Sequence, residues 1–325
     1  MDGLNSKTLI EPVIDRAKSA PGSPVYCFLE DQRDARWVSA GEFHLQNKAY
    51  ASALQAIGVG PDDLVILVLH HSVELLSAFW GALYLGAIAS IFPFLTEKLD
   101  PQIYMERVHT LVAHEHARVV ITFPEFKDQL SELLSDVDCR ILSTAEVPLP
   151  ADDNPEPASW DGEADQKLAF LQHSSGTTGL QKGVALTHRA VLEQIRAYGQ
   201  TIHLNEQDVI VSWLPLYHDM GLIAGFVMPI VAGVPLVLMS PFQWVRNPKI
   251  LLQAVDRFKG TLCWLPNFAY NHLARVVRPR DLEGLNLGSL RAVINCSEPV
   301  RLDSHQRFLQ RFAPYGLQEE TLATC

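Results

Sequence analysis

Positive charge is scarce in this chain of 325 residues. Its 26 Lys and Arg are outnumbered by 37 Asp and Glu, a formal net charge of −11. No basic face can dominate, which argues against non-specific binding to nucleic acid. An anionic small molecule is not excluded, because a local site needs only a few donors. Cysteines are few and scattered: Cys27, Cys139, Cys263, Cys296 and Cys325 form no CxxC pair. Free thiols in a reducing cytosol, and so a cytoplasmic protein, are the expectation. Met1 to Ala20 is polar and mixed in charge, unlike a signal peptide. A G-x-S-x-G elbow and a G-x-G-x-x-G fingerprint are both absent. His70-His71 near Glu74 and His114-Glu115-His116 lack HExxH spacing and a third ligand, so they read as ordinary imidazoles. Leu75 to Thr96 carries no charge and is long enough to cross a bilayer. Gly81, Gly86 and Pro93 interrupt it, and the predicted reading is a buried helix to about Leu85, then a buried strand at 89–92.

What is present is a large apolar core, with 48% hydrophobic and 19% charged residues. The length suggests two or more domains. Ser39-Ala40-Gly41-Glu42 fits a capping box opening a helix to about Ile57. The apolar run 64–69 reads as a strand buried on both faces. Helices at 101–116 and 125–134 alternate with strands at 119–123 and 140–142. Repeated strand-helix-strand units predict an α/β fold of two successive subdomains, each a mostly parallel sheet flanked by helices. From Pro148 to Asp165 the chain holds six acids, four prolines and no basic residue, an exposed linker. The expected domains are therefore 1–147 and 166–325. In the second, helices are predicted near 188–198, 222–231, 248–258, 268–276 and 304–312. Strands are predicted near 209–213, 236–239, 261–265 and 290–295. The last residues, Thr321 to Cys325, do not resemble a fraying terminus and read as a cut in mid-domain.

The most informative stretch is Ser174-Ser175-Gly176-Thr177-Thr178-Gly179-Leu180-Gln181-Lys182-Gly183. Its glycines let backbone amides approach an anion, its hydroxyls add donors, and its lysine supplies a point charge. Apolar runs on both sides predict strand-loop-strand rather than the strand-to-helix turn of a Walker loop. The Walker spacing also fails, since the second glycine would fall at Gln181 or Val184. The loop reads as a phosphate cradle. A flexible Gly/Ser/Thr surface turn is the bland alternative.

Three further stretches follow predicted strands, where open α/β sheets place ligands. The first runs from Trp213 through Tyr217, His218 and Asp219 to Gly221, with Asp219 placed to cap the next helix. The second holds Asn267, Phe268 and Tyr270 after Pro266. The third is Asn295-Cys296-Ser297-Glu298-Pro299. Each alone reads equally as an ordinary turn or as packing. Together with the cradle they suggest a nucleotide and an apolar substrate. Tyr315-Gly316-Leu317-Gln318-Glu319-Glu320 alone reads as a helix stop with solvated acids.

These motifs resemble those of the adenylate-forming superfamily: acyl-CoA synthetases, fatty acyl-AMP ligases, adenylation domains and luciferases. WLPLYHDMG from Trp213, PNFAY from Pro266 and SEPVR from Ser297 look most like the fatty acyl-AMP ligase branch. The likeness covers nearly the whole chain as an amino-terminal portion of that fold. It implies an enzyme that activates a fatty or other carboxylic acid with ATP and Mg²⁺, giving acyl-adenylate and pyrophosphate. The acceptor it implies is an acyl carrier protein, with coenzyme A the rival; a non-catalytic nucleotide- or acyl-binding fragment is the alternative. By resemblance, Ser174, Ser175, Gly176, Thr177, Thr178, Gly179 and Lys182 bind the phosphates, and His218 and Lys182 carry the catalysis. Trp213, His218, Asp219, Gly221, Asn267, Phe268 and Tyr270 line the acyl side. Cys296, Ser297, Glu298 and Pro299 lie on one side of the adenine, with Tyr315 and Gly316 on the other. Thr178 and Glu319 hold the metal. The sequence departs from the family at Gln181, usually proline, and at Cys296, often glycine. The family's ribose-binding aspartate, hinge and carboxy-terminal lysine are not in this sequence.

Overall fold

The computed structural model describes residues 6–30, 35–95, 100–152, 154, 156–157, 163–173 and 182–325. Thirteen strands are assigned among them, in chain order β1 (Pro24–Leu29), β2 (Trp37–Ser39), β3 (Leu64–Val68), β4 (Ile88–Ile91), β5 (Val119–Thr122), β6 (Arg140–Ser143), β7 (Leu168–His173), β8 (Gly183–Thr187), β9 (Ile210–Ser212), β10 (Leu236–Met239), β11 (Leu262–Pro266), β12 (Ala292–Cys296) and β13 (Leu322–Thr324). They form two sheets, ordered β6-β5-β3-β4-β7-β8 and β13-β12-β11-β9-β10-β1-β2. The chain divides into two compact units, one around each sheet. The fold is α/β, with two mostly parallel sheets flanked by helices, as the alternating pattern predicts.

The six-stranded unit shows why. All five residues of β3 are buried, as a parallel sheet covered on both faces requires. Ser39 and Glu42 form the expected capping box: the Ser39 hydroxyl accepts from Glu42 N at 3.3 Å, and the Glu42 carboxylate accepts from Ser39 N at 2.9 Å. The helix so started, Ala40–Ala56, packs on Val73–Leu85. The packing is close enough that a Cβ on Gly81 would lie 2.3 Å from the Tyr50 Cβ. From Leu75 on, Val73–Leu85 takes up the first half of the charge-free stretch, and it ends at Gly86 in the left-handed region (φ 80°). Among the described residues no helix is long and apolar enough to cross a membrane.

The seven-stranded unit contains three strands the sequence reading omitted, β1, β2 and β13, and a short helix, Pro241–Arg246. β1 pairs in parallel with β10, some two hundred residues away, with Tyr26 opposite Leu236 and Leu29 opposite Met239. At the amino ends of β9, β11 and β12 a buried carboxylate joins three connections. Asp208 accepts from Arg291 Nε and Nη2, both at 2.6 Å, from Thr261 Oγ1 at 2.7 Å and from Asn205 N at 2.9 Å. Arg291 also donates to the carbonyls of Ile202 and His203.

The domain boundaries need correction. Residues 148–165 do not separate the two units. β7 and β8 follow that segment yet complete the six-stranded sheet through β4, whereas β1 and β2 precede it and join the other sheet. Acidic, proline-rich composition marks where chain is exposed, not where a sheet ends. The segment is also tied down: buried Lys48 donates to the Asp152 carbonyl at 3.0 Å and to the Glu156 carboxylate at 2.8 Å.

Candidate functional site

In the seven-stranded sheet, β9 is flanked by β10 on one side and β11 on the other. The connection from β9 leads to β10. The connection from β11 leads away from it, to β12 and β13. This is a topological switch point, and open α/β sheets bind ligands there, outside the carboxyl ends of the strands. The loop after β9 carries Trp213 and His218, and the helix it leads into carries Asp219 and Gly221. The first turn after β11 carries Asn267 and Phe268. The turn after β12 carries Cys296 to Pro299. The structure therefore brings these three predicted stretches to one end of one sheet.

The β9 loop is held tightly. A Cβ on Gly221 would lie 2.1 Å from the Pro215 carbonyl oxygen, so the helix starting at Asp219 rests directly on that backbone. His218 N donates to Pro215 O at 3.2 Å, and Leu222 N donates to His218 O at 2.8 Å. His218 itself occupies the cap position in extended conformation; Asp219, expected to cap, is the first helical residue and bonds Met220 N at 2.7 Å. Burial lowers the His218 imidazole below its ordinary value, with Asp219 opposing, which favours the neutral ring. The same helix passes through a π-turn at Ile223–Val227, a distortion frequent near functional sites. Trp213 stacks on Trp244 at 3.6 Å, and Phe268 stands edge-on to both.

The ends of β11 and β12 are cross-tied. Asn267 Oδ1 accepts from Asn295 Nδ2 at 3.3 Å and from Arg301 N at 3.1 Å. Glu298 accepts from Phe268 N at 3.3 Å, at the start of the helix Asn267–Val276, where a carboxylate suits the helix dipole. Ser297 takes φ 67°, a costly value for a residue with a side chain and one that clusters at ligand sites. Asn295 Oδ1 is buried with no hydrogen-bond partner among the described residues.

Two predicted assignments fail on geometry. Tyr270 is fully buried, donates to Val293 O at 3.1 Å and packs on His305 and Phe308. Three residues into its helix, it faces the core, whereas Phe268 in the first turn is exposed. Tyr315, Gly316 and Glu319 precede β13, and Tyr315 O accepts from Leu287 N at 2.7 Å, ahead of β12. They lie at the amino ends of these strands, away from Cys296. Gly316, at φ 94°, closes the turn that ends the helix Leu302–Phe312. The helix-stop reading of that stretch is the one the structure supports, and Glu319 does not fit a magnesium ligand at the strand ends.

The cradle residues Ser174, Ser175, Gly176, Thr177, Thr178 and Gly179 lie outside the described residues, as does Gln181. Their stem is described: β7 and β8 are antiparallel, closed by the rung His173–Gly183, so the segment is strand-loop-strand as predicted. His173 is buried, its Nδ1 3.0 Å from Ser90 Oγ, and burial lowers its pKa. Lys182 is exposed and forms no ion pair among the described residues. Sequence reasoning missed Trp244, Arg301, His173 and Ser90. Trp244 had a legible signal, since it follows β10 as Trp213 follows β9. A groove of about 810 Å³ between the helices Asn267–Val276 and Leu302–Phe312 shares Phe268 with the site. Arg275, Arg307 and Arg311 line it, so it is unlike an apolar acyl channel.

Residues 14–325 match the family model described as AMP-binding enzyme. The chain is 28% identical over 320 residues to the medium-chain-fatty-acid (acyl-carrier-protein) ligase JamA of Moorena producens, covering 97% of this chain and 53% of that protein. It is 30% identical over 302 residues to the long-chain-fatty-acid AMP ligase FadD32 of Mycolicibacterium smegmatis, covering 89% and 46%. A crystal structure of a fatty acid AMP ligase from Legionella pneumophila superposes with TM-score 0.89 at 28% identity, over 99% of this chain and 55% of that one. A fatty acyl-adenylate ligase from L. pneumophila, in complex with acyl adenylate and pyrophosphate, gives TM-score 0.88 at 29% identity, over 99% and 55%. The chain spans about half the length of the curated relatives it matches.

Proposed function

The chain belongs to the AMP-binding enzyme family, and from that premise we propose that it supplies the nucleotide and acyl sites for ATP-dependent activation of a fatty acid. The product is an acyl-adenylate, with pyrophosphate released and the acyl group passed to an acyl carrier protein. The observation that carries this reading is the switch point between β9 and β11, where His218, the strained Ser297 turn and the Asn295 side-chain oxygen, unpaired among the described residues, stand together. The names of the relatives support the chemistry: one acts on a medium-chain fatty acid and a carrier protein, and one structure holds acyl adenylate and pyrophosphate.

In this reaction a carboxylate oxygen attacks the α-phosphorus, the bond to the β-phosphate oxygen breaks, and pyrophosphate departs. Two anions must meet, so donors have to offset their repulsion. Lys182 and the 174–179 loop supply that offset on the phosphate side. His218, neutral, donates one N–H to the acyl carboxylate without a charge of its own. The Cys296–Ser297 backbone offers a flat edge to the adenine. Trp213 and Phe268 give the acyl group an apolar wall. Of the two residues expected to hold magnesium, Thr178 is the one retained, because Glu319 lies at the other end of the strands. The free thiols fit a reducing cytosol.

Nucleotide binding by the purified chain tests the reading. Lys182→Ala and Thr178→Ala should each weaken ATP affinity about tenfold or more, the loss of a charge-assisted or ordinary hydrogen bond to phosphate. Unchanged affinity in both would refute the phosphate assignment. Acyl-dependent pyrophosphate–ATP exchange then separates catalysis from binding: intact ATP affinity without exchange confines this chain to a binding role. Transfer of the acyl group to coenzyme A in place of a carrier protein would overturn the acceptor.

A further inference from the structure

The groove of about 810 Å³ between the helices Asn267–Val276 and Leu302–Phe312 is not used by the reaction proposed above. These helices follow the neighbouring parallel strands β11 and β12, so the fixed hand of such crossovers sets them side by side on one face of the sheet. Asn271 and Arg275 lie one turn apart on the first helix, Arg307 and Arg311 one turn apart on the second. Asn271 Nδ2 donates to Ser304 Oγ at 2.8 Å, Arg307 Nη1 donates to Asn271 Oδ1 at 3.3 Å, and Arg311 Nη2 donates to Val277 O at 2.9 Å. The guanidinium groups of Arg307 and Arg311 are therefore held across the groove by the facing helix and its cap.

Charge is unbalanced there. Arg307 Nη2 lies 3.2 Å from the Asp303 carboxylate. Arg311 has no ion pair among the described residues, and exposed Arg275 has neither an ion pair nor a hydrogen bond among them. Three guanidinium groups against one carboxylate leave two positive charges, in a chain whose acids outnumber its bases. A second groove of about 320 Å³, at the carboxyl end of the same helix, shows the contrast. Two of its three cations, Lys249 and Arg278, share Asp281 at 3.0 and 3.2 Å, so the chain supplies the anion itself.

We propose that the groove lined by Arg275, Arg307 and Arg311 is a binding site for a small polyphosphate anion, separate from the 174–182 loop. This site does not rest on the function proposed above. The planar guanidinium fork matches a pair of phosphate oxygens, and each arginine here has more N–H donors than its present bonds use. The volume falls in the range of about 300–1,000 Å³ typical of small-molecule sites, room for several linked phosphoryl groups rather than one. An amphipathic helix is the poorer occupant, because helix-in-groove docking needs an apolar floor, whereas arginine clusters take phosphoryl groups. Inorganic and nucleoside polyphosphates share this chemistry. Phe268, at the amino-terminal end of the groove, distinguishes them, since only the second has a ring to lay on it.

The test titrates the chain with inorganic tripolyphosphate by calorimetry and follows hydrogen exchange in the same mixture. Saturable binding is expected, with amides in 271–277 and 303–311 gaining protection. Arg275→Gln and Arg307→Gln, both at exposed positions, should each weaken binding about tenfold, the loss of a charge-assisted contact. Arg275→Lys should recover only part of the loss, because an ammonium keeps the charge without the fork. Arg107→Gln, at an exposed position on the helix Pro101–His114 of the other unit, should bind as the unaltered chain does. ATP in place of tripolyphosphate separates the sources. Protection of the groove amides at lower ATP than tripolyphosphate concentration identifies a nucleoside polyphosphate; the reverse order identifies an inorganic one. No saturable binding, or an equal loss in Arg107→Gln, overturns the site in favour of none or of diffuse charge attraction. Protection confined to the loop stem, 168–173 and 183–187, overturns the groove while leaving the phosphate reading of the loop intact. A hexaglutamate peptide that binds more tightly than tripolyphosphate overturns the polyphosphate class in favour of an acidic protein segment.

Discussion

Replacing Asp208 by Asn should loosen the amino ends of β9, β11 and β12 together. Asp208 is only 2% exposed, and two short bonds to Arg291 hold it beside Thr261 Oγ1 and Asn205 N. Burial alone would raise its carboxyl pKa; the bonds from Arg291, Thr261 and Asn205 outweigh that and hold it below the ordinary carboxylate value. Breaking a buried pair on one side costs about 3–5 kcal/mol. Arg291 is one-third exposed, so water can partly solvate its stranded charge and about 3 kcal/mol is the expectation. Asp208→Asn/Arg291→Met removes both charges and should recover at least about 1 kcal/mol relative to the sum of the single losses. Because the chain has two units, hydrogen exchange of the strand amides is a better readout than a single melting curve. Ile210, Leu262 and Ala292, at the strand starts, should lose protection in the single variants and regain part of it in the double. The sign with pH follows from the lowered carboxyl value. The stabilisation is fully present above the unfolded carboxyl pKa of about 4 and is lost as pH falls through the lower folded value. Strictly additive losses, or an Asp208→Asn no more labile than Asp136→Asn at an exposed position, would show that the pair does not hold these strands.

Other consequences follow from single residues. Gly221→Ala should destabilise by about 1–3 kcal/mol through overpacking against the Pro215 carbonyl, and acyl-adenylate affinity should fall with it. Gly22→Ala, whose Cβ would meet nothing within 4 Å, should stay within about 0.5 kcal/mol; equal melting of the two variants refutes the close-approach argument. His188 is buried, accepts from Leu9 N at 3.2 Å, and burial lowers its pKa to about 4. The unfolded chain takes up that proton first, so about 3 kcal/mol is lost as pH falls from about 6.5 to 4. His188→Asn keeps an acceptor for Leu9 N and should flatten stability across that window; an unchanged acid profile contradicts the assignment.

Much of this fold was legible because its strands and helices announce themselves locally. The apolar run at 64–69 has no periodicity to confuse it, and Ser39 with Glu42 marks a helix start by chemistry rather than composition. What stayed hidden is what local sequence does not encode. β1 finds its partner β10 across most of the chain, so nothing near Tyr26 signals the pairing. The acidic linker misled for the same reason, since the strands on its far side were still required by β4. At the site, the strand-end rule located His218, Asn267 and Ser297 correctly relative to the sheet. Motif likeness alone misplaced Tyr315 and Glu319, because an aromatic-glycine pair serves as well to stop a helix as to line a pocket.

The polar groups at the strand ends divide by whether the fold already employs them. Asn267 is spent on Asn295 and Arg301, Glu298 on the Phe268 amide, and Tyr270 on the Val293 carbonyl. Removing Asn267 or the Tyr270 hydroxyl should cost stability first and ligand affinity second, since each leaves a buried group unpaired. The Asn295 Oδ1 atom is buried without a partner, and Ser297 is held in a conformation that costs about 1–3 kcal/mol and makes no gain in packing, being exposed. Among the described residues nothing compensates the Asn295 Oδ1 atom, as for several buried polar atoms elsewhere in the fold. On the function proposed above, the exposed Ser297 turn is the part that a ligand can reach, since Asn295 itself is fully buried. An adenine would offer that turn a planar ring, which a fatty chain lacks. The acyl group would then take the apolar side, against Trp213 and Phe268. His218, exposed at the cap of the helix that starts at Asp219, would face the carboxylate in that reading.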